Sequence, residues 1–124
     1  MSHRSLAALA ASAIFVLAAC SSSTASGAAS GASSACKETA DAGVVSVSII
    51  DFAFQPADIA AKTGQVIAFK NTGAAPHTAT LDGGQCTTAN LGAGKSDGLV
   101  FSVAGTYKFH CAIHAKMTGT IVIG

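Results

Sequence analysis

From Val44 onward the chain alternates apolar and polar residues in short runs, each cut by Gly, Pro, Asn or Asp. Runs of that length and period predict an all-β sandwich or barrel. Val45, Val47 and Ile49 share one parity against Ser46 and Ser48. Phe52 and Phe54 continue on the opposite parity, which predicts a bulge or bend near Ile50 and Asp51. Thr63-Gly64 turns the chain into the run Gln65 to Lys70, where Ile67 and Phe69 point one way, and His77 to Leu81 reads as another short strand. Leu99 to Val103 leads through Ala104-Gly105 to the run Thr106 to Cys111. There Tyr107, Phe109 and Cys111 face inward, and Lys108 and His110 face outward. Thr118 to Ile123 closes the domain. No stretch after residue 37 shows a capped helical period, although Ala57 to Lys62 suits one turn of helix.

The whole chain has 124 residues, room for one domain, and its N-terminal part is of another kind. Ser2, His3 and Arg4 make a basic start, and Leu6 to Ala19 is apolar without a charge, so residues 1–19 read as an export signal. The apolar run falls short of the roughly 20 residues that a transmembrane helix needs. It ends in Leu17-Ala18-Ala19-Cys20, which resembles the lipobox of bacterial lipoproteins, with cleavage before Cys20 and acylation of its thiol. A buried core helix is the alternative, and the basic start and small-residue cleavage site count against it. Residues 20–36 are expected to be a lipid-anchored tether, because positions 21–35 are Ser, Ala and Gly with a single Thr24. Such a linker has a root-mean-square span of about 20 Å. Residues 37–124 are the expected folded domain, held outside the cytoplasm on a membrane surface.

Without the signal, the lysines (37, 62, 70, 95, 108 and 116) balance Glu38, Asp41, Asp51, Asp58, Asp82 and Asp97, and the mature chain is close to neutral. No basic stripe with interleaved aromatics is present, which argues against nucleic acid as a partner. Strong electrostatic steering is not expected either.

One loop carries chemistry. His110-Cys111-Ala112-Ile113-His114-Ala115-Lys116-Met117-Thr118-Gly119 places a thiolate, an imidazole and a thioether at Cys-x-x-His-x-x-Met spacing. A second imidazole, His77, lies upstream in Asn71-Thr72-Gly73-Ala74-Ala75-Pro76-His77, between two expected strands. Two His, one Cys and one Met are the donors of an electron-transfer copper site: thiolate suits Cu(I), imidazole suits both oxidation states, and a weak thioether tunes the potential. Met117 is the only methionine besides the initiator. Each residue also has a plainer reading, Cys111 as a small buried hydrophobe and His77 as a hydrogen-bonded loop residue. His110 faces outward by strand alternation and is expected not to ligate. Structural zinc prefers four Cys or His ligands. Haem attachment would need Cys-x-x-Cys-His, which is absent, and no oxyanion-hole motif accompanies the Cys-His pair.

Four cysteines in an exported chain need four explanations. Cys20 would carry lipid and Cys111 metal, leaving Cys36 and Cys86 as a candidate disulfide, with a pair of free thiols as the alternative. If His77 and Cys111 meet at one end of the meander, antiparallel neighbours send residues 65–71 and 106–111 toward that end, and residues 78–81 and 99–103 away from it. Segment 82–98 must then climb back. Cys36 and Cys86 both fall near the far end, as a bridge with Cα atoms within about 7 Å requires.

The region from about Val44 to Ile123 resembles the cupredoxins, the type 1 blue-copper proteins, of the amicyanin- and plastocyanin-like kind. The resemblance rests on Asn71-x5-His77 with Pro76, on Gly105-Thr106-Tyr107 before Cys111, and on Cys111-x2-His114-x2-Met117-x-Gly119. It implies a Greek-key β-sandwich or barrel, with His77, Cys111 and His114 around one copper ion and Met117 as a long axial contact. It also implies a carrier, not an enzyme, cycling Cu(II)/Cu(I) between a donor and an acceptor protein that dock near the exposed edge of His114. Ala74, Ala75, Pro76, Ala112, Ile113 and Ala115 would form an uncharged rim there, with Lys116 beside it, and the carrier is expected to be monomeric. In the family the residue after the first His is often Asn; here it is Thr78. A copper-delivery lipoprotein is the competing reading. It would favour extra Met or His clusters, which the chain lacks. A copper enzyme would need further ligands from a partner subunit.

Overall fold

Period-two alternation leaves each segment with one apolar face, and two such sheets can bury those faces only against each other. The computed structural model, which describes residues 35–124, shows that solution. The export signal 1–19, the lipidation site Cys20 and the tether up to residue 34 lie outside the described residues. Among the described residues the strands are β1 (Cys36–Thr39), β2 (Val45–Ile50), β3 (Ala53–Gln55), β4 (Asp58–Ala61), β5 (Val66–Asn71), β6 (Thr80–Leu81), β7 (Ser96–Phe101), β8 (Gly105–His110) and β9 (Thr118–Ile123). They form one sheet in the order β1-β7-β5-β2-β3 and a second in the order β4-β9-β8-β6. The β2–β5 and β4–β9 pairs are parallel and the others antiparallel, so the chain crosses between sheets in a Greek-key β-sandwich.

Val47, Ile49, Ile67, Phe69, Leu99 and Phe101 of the first sheet are buried, as are Phe109, Ile121 and Ile123 of the second. Phe109 joins the layers, its ring centroid 5.7 Å from that of Phe69 and 4.7 Å from that of Phe54. Each of these side chains contributes about 1.5–3 kcal/mol by leaving water. Strand directions follow from the pairings: β5 and β8 run toward one end of the sandwich, β6 and β7 away from it. That end receives the loops after β5 and β8, which carry His77 and Cys111. At the opposite end Cys36 stands in register with Phe101 and forms a disulfide with Cys86, the Cα atoms 5.8 Å apart.

The structure departs from the expected elements in places and adds strands. The bulge or bend expected near Ile50 and Asp51 takes the form of a hairpin turn of two residues, Asp51 and Phe52, between Ile50 and Ala53. Phe52 occupies it with φ of 72°, a left-handed conformation that favours glycine and costs a bulky residue about 1–3 kcal/mol. Residues 58–61 are not helical but form β4, because pairing with β9 satisfies their backbone and buries Ile59. The strand expected over His77 to Leu81 shrinks to β6, with His77 held by an isolated bridge to Leu91. Strand β1 starts at Cys36, where it pairs with β7.

Candidate metal centre

His77 is placed by backbone accounting. The inward face of β5 ends on Asn71, which is fully buried and must find partners for its amide. Its Nδ2 donates to the carbonyls of Ala75 at 2.7 Å and Leu91 at 2.8 Å, and its Oδ1 accepts the Gly73 N–H at 2.9 Å. Those bonds curl residues 72–76 into a loop. The His77 N–H then bonds the Leu91 carbonyl at 3.0 Å, and the Leu91 N–H returns to His77 at 2.8 Å. Cys111 follows β8 on the parity of Phe109, and both are 0% exposed. Its N–H donates to the Met117 carbonyl at 2.9 Å, while the Met117 N–H donates to the His114 carbonyl at 2.9 Å, closing the 111–117 loop on itself.

These loops bring three donors together. Sγ of Cys111 lies 3.8 Å from Nδ1 of His77 and 3.8 Å from Nδ1 of His114, and the two Nδ1 atoms are 3.2 Å apart. A metal ion about 2.0–2.3 Å from each nitrogen or sulfur sits among donors about 3.3–3.8 Å apart, close to the spacing found here. His77, Cys111 and His114 therefore form a group that could hold a metal ion, with the first two buried and His114 half-buried. Lone pairs converging inside an apolar shell are complementary to a cation, and the thiolate-imidazole set fits copper by softness. Met117 is buried in the same loop, 3% exposed. His110 stays outside the group; its Nδ1 is 2.6 Å from Oδ1 of Asp82 on the outer face of the second sheet.

Thr78 links the two ligand loops. Its N–H points at Sγ of Cys111 at 3.4 Å, and its hydroxyl accepts the Ala112 N–H at 2.8 Å. A threonine thus ties the two ligand loops through both its backbone N–H and its hydroxyl.

Sequence reasoning missed Asp51 and Phe52. The Asp51 carboxylate accepts the N–H groups of Ala74 and Ala75 at 3.0 Å each, and its Oδ1 lies 3.4 Å from Nε2 of His77. Those two backbone donors, Ala75 first, hold its carboxyl below the usual carboxylate range, with a smaller contribution from His77. The Phe52 ring stands edge-on to His114, centroids 5.2 Å apart. Parity alone could not reveal either contact, since both bridge more than twenty residues of chain.

A family model described as a cupredoxin-like domain matches residues 9–123. No curated protein matches the chain. Among solved structures, the chain is similar to the reduced form of an amicyanin variant with tyrosine in place of tryptophan, at 21% identity and a TM-score of 0.65, over 73% of this chain and 99% of that one. The Cu(I) form of a methionine-to-alanine variant of amicyanin aligns at 27% identity and a TM-score of 0.59, over 68% of this chain and 85% of that one. A purple cupredoxin from Nitrosopumilus maritimus aligns at 18% identity and a TM-score of 0.59, over 64% of this chain and 99% of that one. With a β-sandwich of this topology and a Cys-His-His group at the end where its ligand loops meet, the chain belongs to the cupredoxin-like family.

Proposed function

We propose that the protein is a one-electron carrier that holds a single copper ion through His77, Cys111 and His114, with Met117 as a weak axial donor. The observation that carries this reading is the convergence of Sγ and two Nδ1 atoms within 3.2–3.8 Å, two of the three residues buried and the third half-buried. Bound copper supplies the Cu(II)/Cu(I) couple. The protein's part is to keep the donors where they are. Asn71, Thr78 and the backbone bonds of the 111–117 loop tie every donor-bearing segment, so the donors move little between oxidation states and reorganisation is small. Burial of His77, Cys111 and Met117 excludes water from three sides. His114 offers the route out. Exposed Ala74, Pro76, Ala112, Ile113 and Ala115 surround it without a charge, a surface suited to brief docking of a donor and an acceptor protein, with Lys116 biasing the choice. Lipid on Cys20 and the Ser/Ala/Gly tether would hold the carrier outside the cytoplasm at a membrane.

Addition of one equivalent of Cu(II) to the purified protein tests this. The expected result is an intense visible thiolate-to-copper band that reductant bleaches and oxidant restores. A colourless or weakly absorbing protein would mean that Cys111 does not bind Cu(II), and copper delivery would take the lead.

A further inference from the structure

The turn between β2 and β3 is strained where it need not be. A hairpin of two residues with φ of 72° at the second asks for Gly or Asn there, and the chain has Phe52. Burial does not explain the choice, because Phe52 is 64% exposed. The ring instead faces both imidazoles of the donor group edge-on, 5.2 Å from His114 at 86° and 6.2 Å from His77 at 84°. An aromatic edge against a π-face is a favourable contact, and Phe52 and His114 line the same surface pocket.

The other turn residue reaches the far side of the same site. His77 presents Nδ1 to Cys111, so Nε2 is its remaining nitrogen, and Asp51 Oδ1 lies 3.4 Å from it. An ionised carboxylate can only accept, so this contact selects the tautomer with hydrogen on Nε2 and leaves the Nδ1 lone pair for a metal. Asp51 is itself fixed by the Ala74 and Ala75 N–H groups. The loop makes room for it: a Cβ on Gly73 would fall 2.2 Å from Asp51 Oδ1.

We propose that the Asp51–Phe52 turn is a clamp on the metal centre, Asp51 fixing the tautomer and plane of His77 and Phe52 holding the ring of His114. The clamp rests on the copper reading above. Both are positioning residues, since each acts through an imidazole. The clamp separates two quantities that usually move together: strain lies in the backbone at Phe52, whereas the benefit lies at the site. Phe52→Gly therefore relaxes the fold and loosens the centre at once.

The test uses the full chain and its Phe52→Gly, Asp51→Ala and Asp51→Asn variants. Four readouts apply: the melting temperature without metal, the rate of copper loss to a Cu(I) chelator, the midpoint potential, and the His77 tautomer by nitrogen NMR of the metal-free protein. Phe52→Gly is expected to melt at or above the wild-type temperature, to lose copper about tenfold faster or more, and to shift the potential. Asp51→Ala is expected to mix the His77 tautomers where the wild type and Asp51→Asn hold hydrogen on Nε2. Wild-type copper loss, potential and tautomer in both Phe52→Gly and Asp51→Ala would overturn the clamp. Should Phe52→Gly not fold, Phe52→Asn, which also tolerates the positive φ, takes its place in the same readouts. A wild type with no blue band would sink the copper reading instead, and the clamp would still stand or fall on the metal-free tautomer.

Discussion

Gly119 shows how much of the centre depends on single atoms. A Cβ there would lie 2.4 Å from the Phe109 ring and 2.6 Å from the Ala57 carbonyl oxygen, so β9 can leave the ligand loop at this angle only with no side chain. Met117, two residues earlier, is the proposed donor whose role can be isolated most cleanly. Leucine has nearly its volume, and such a swap in a core costs less than about 1.5 kcal/mol, while removing the thioether alone. Met117→Leu is expected to keep copper and the blue band and to raise the midpoint potential measured by voltammetry, because a weak donor lost to Cu(II) disfavours the oxidised state. Complete loss of copper binding would instead make Met117 a principal ligand. His77, Cys111 and His114, which the fold brings together as a candidate metal group, were legible from residue type and spacing, as was Met117 as the proposed axial donor. Asp51 and Phe52 were not, since nothing local to a turn announces which distant loop it will touch.

At the scale of elements, the short strand β6 serves the site through a file of hydroxyls. Thr78 Oγ1 lies 3.0 Å from Thr80 Oγ1, which lies 2.7 Å from Thr87 Oγ1. The ends set the direction. Thr87 donates to the Thr88 carbonyl at 3.1 Å, so it accepts from Thr80, which in turn accepts from Thr78, leaving the Thr78 oxygen to take the Ala112 N–H. Such chains polarise each bond in them. Thr78→Val breaks the file at its start and removes the acceptor of the Ala112 N–H, a loss of about 0.5–1.5 kcal/mol in the denaturant stability of the metal-free protein. The blue band is expected to survive, because the Thr78 N–H to Cys111 Sγ contact belongs to the backbone. Thr78→Ser is expected to restore most of the stability; an unchanged Thr78→Val protein would show that the tie carries no load. The strands rich in Val, Ile and Phe were readable from alternation. β4 was not, because Asp58-Ile59-Ala60-Ala61 has one large apolar residue and forms only by pairing with β9.

For the whole molecule, the two ends of the sandwich have separate tasks. The metal group occupies one, and the Cys36–Cys86 disulfide closes a separation of 50 residues at the other. A crosslink of that length is worth about 2–4 kcal/mol, and it secures β1 directly after the segment proposed as a tether. Force or motion arriving through the N-terminus would thus be taken up far from the donors. If Cys20 carries the lipid, Cys20→Ser in the full chain is expected to move the protein from the membrane fraction to the soluble fraction with its visible spectrum unchanged. Retention in the membrane fraction would count against that anchor.

Residue order alone determined the β class, the candidate donor types and the directions of the principal strands, because period-two alternation and ligand chemistry are local properties. Tertiary structure decided the rest. Whether Phe52 meets His114, whether Asp51 reaches Nε2 of His77 and whether Thr78 ties Ala112 depend on where two sheets settle when they bury a common core. Side-chain contacts across that distance are set by packing, which no local pattern encodes.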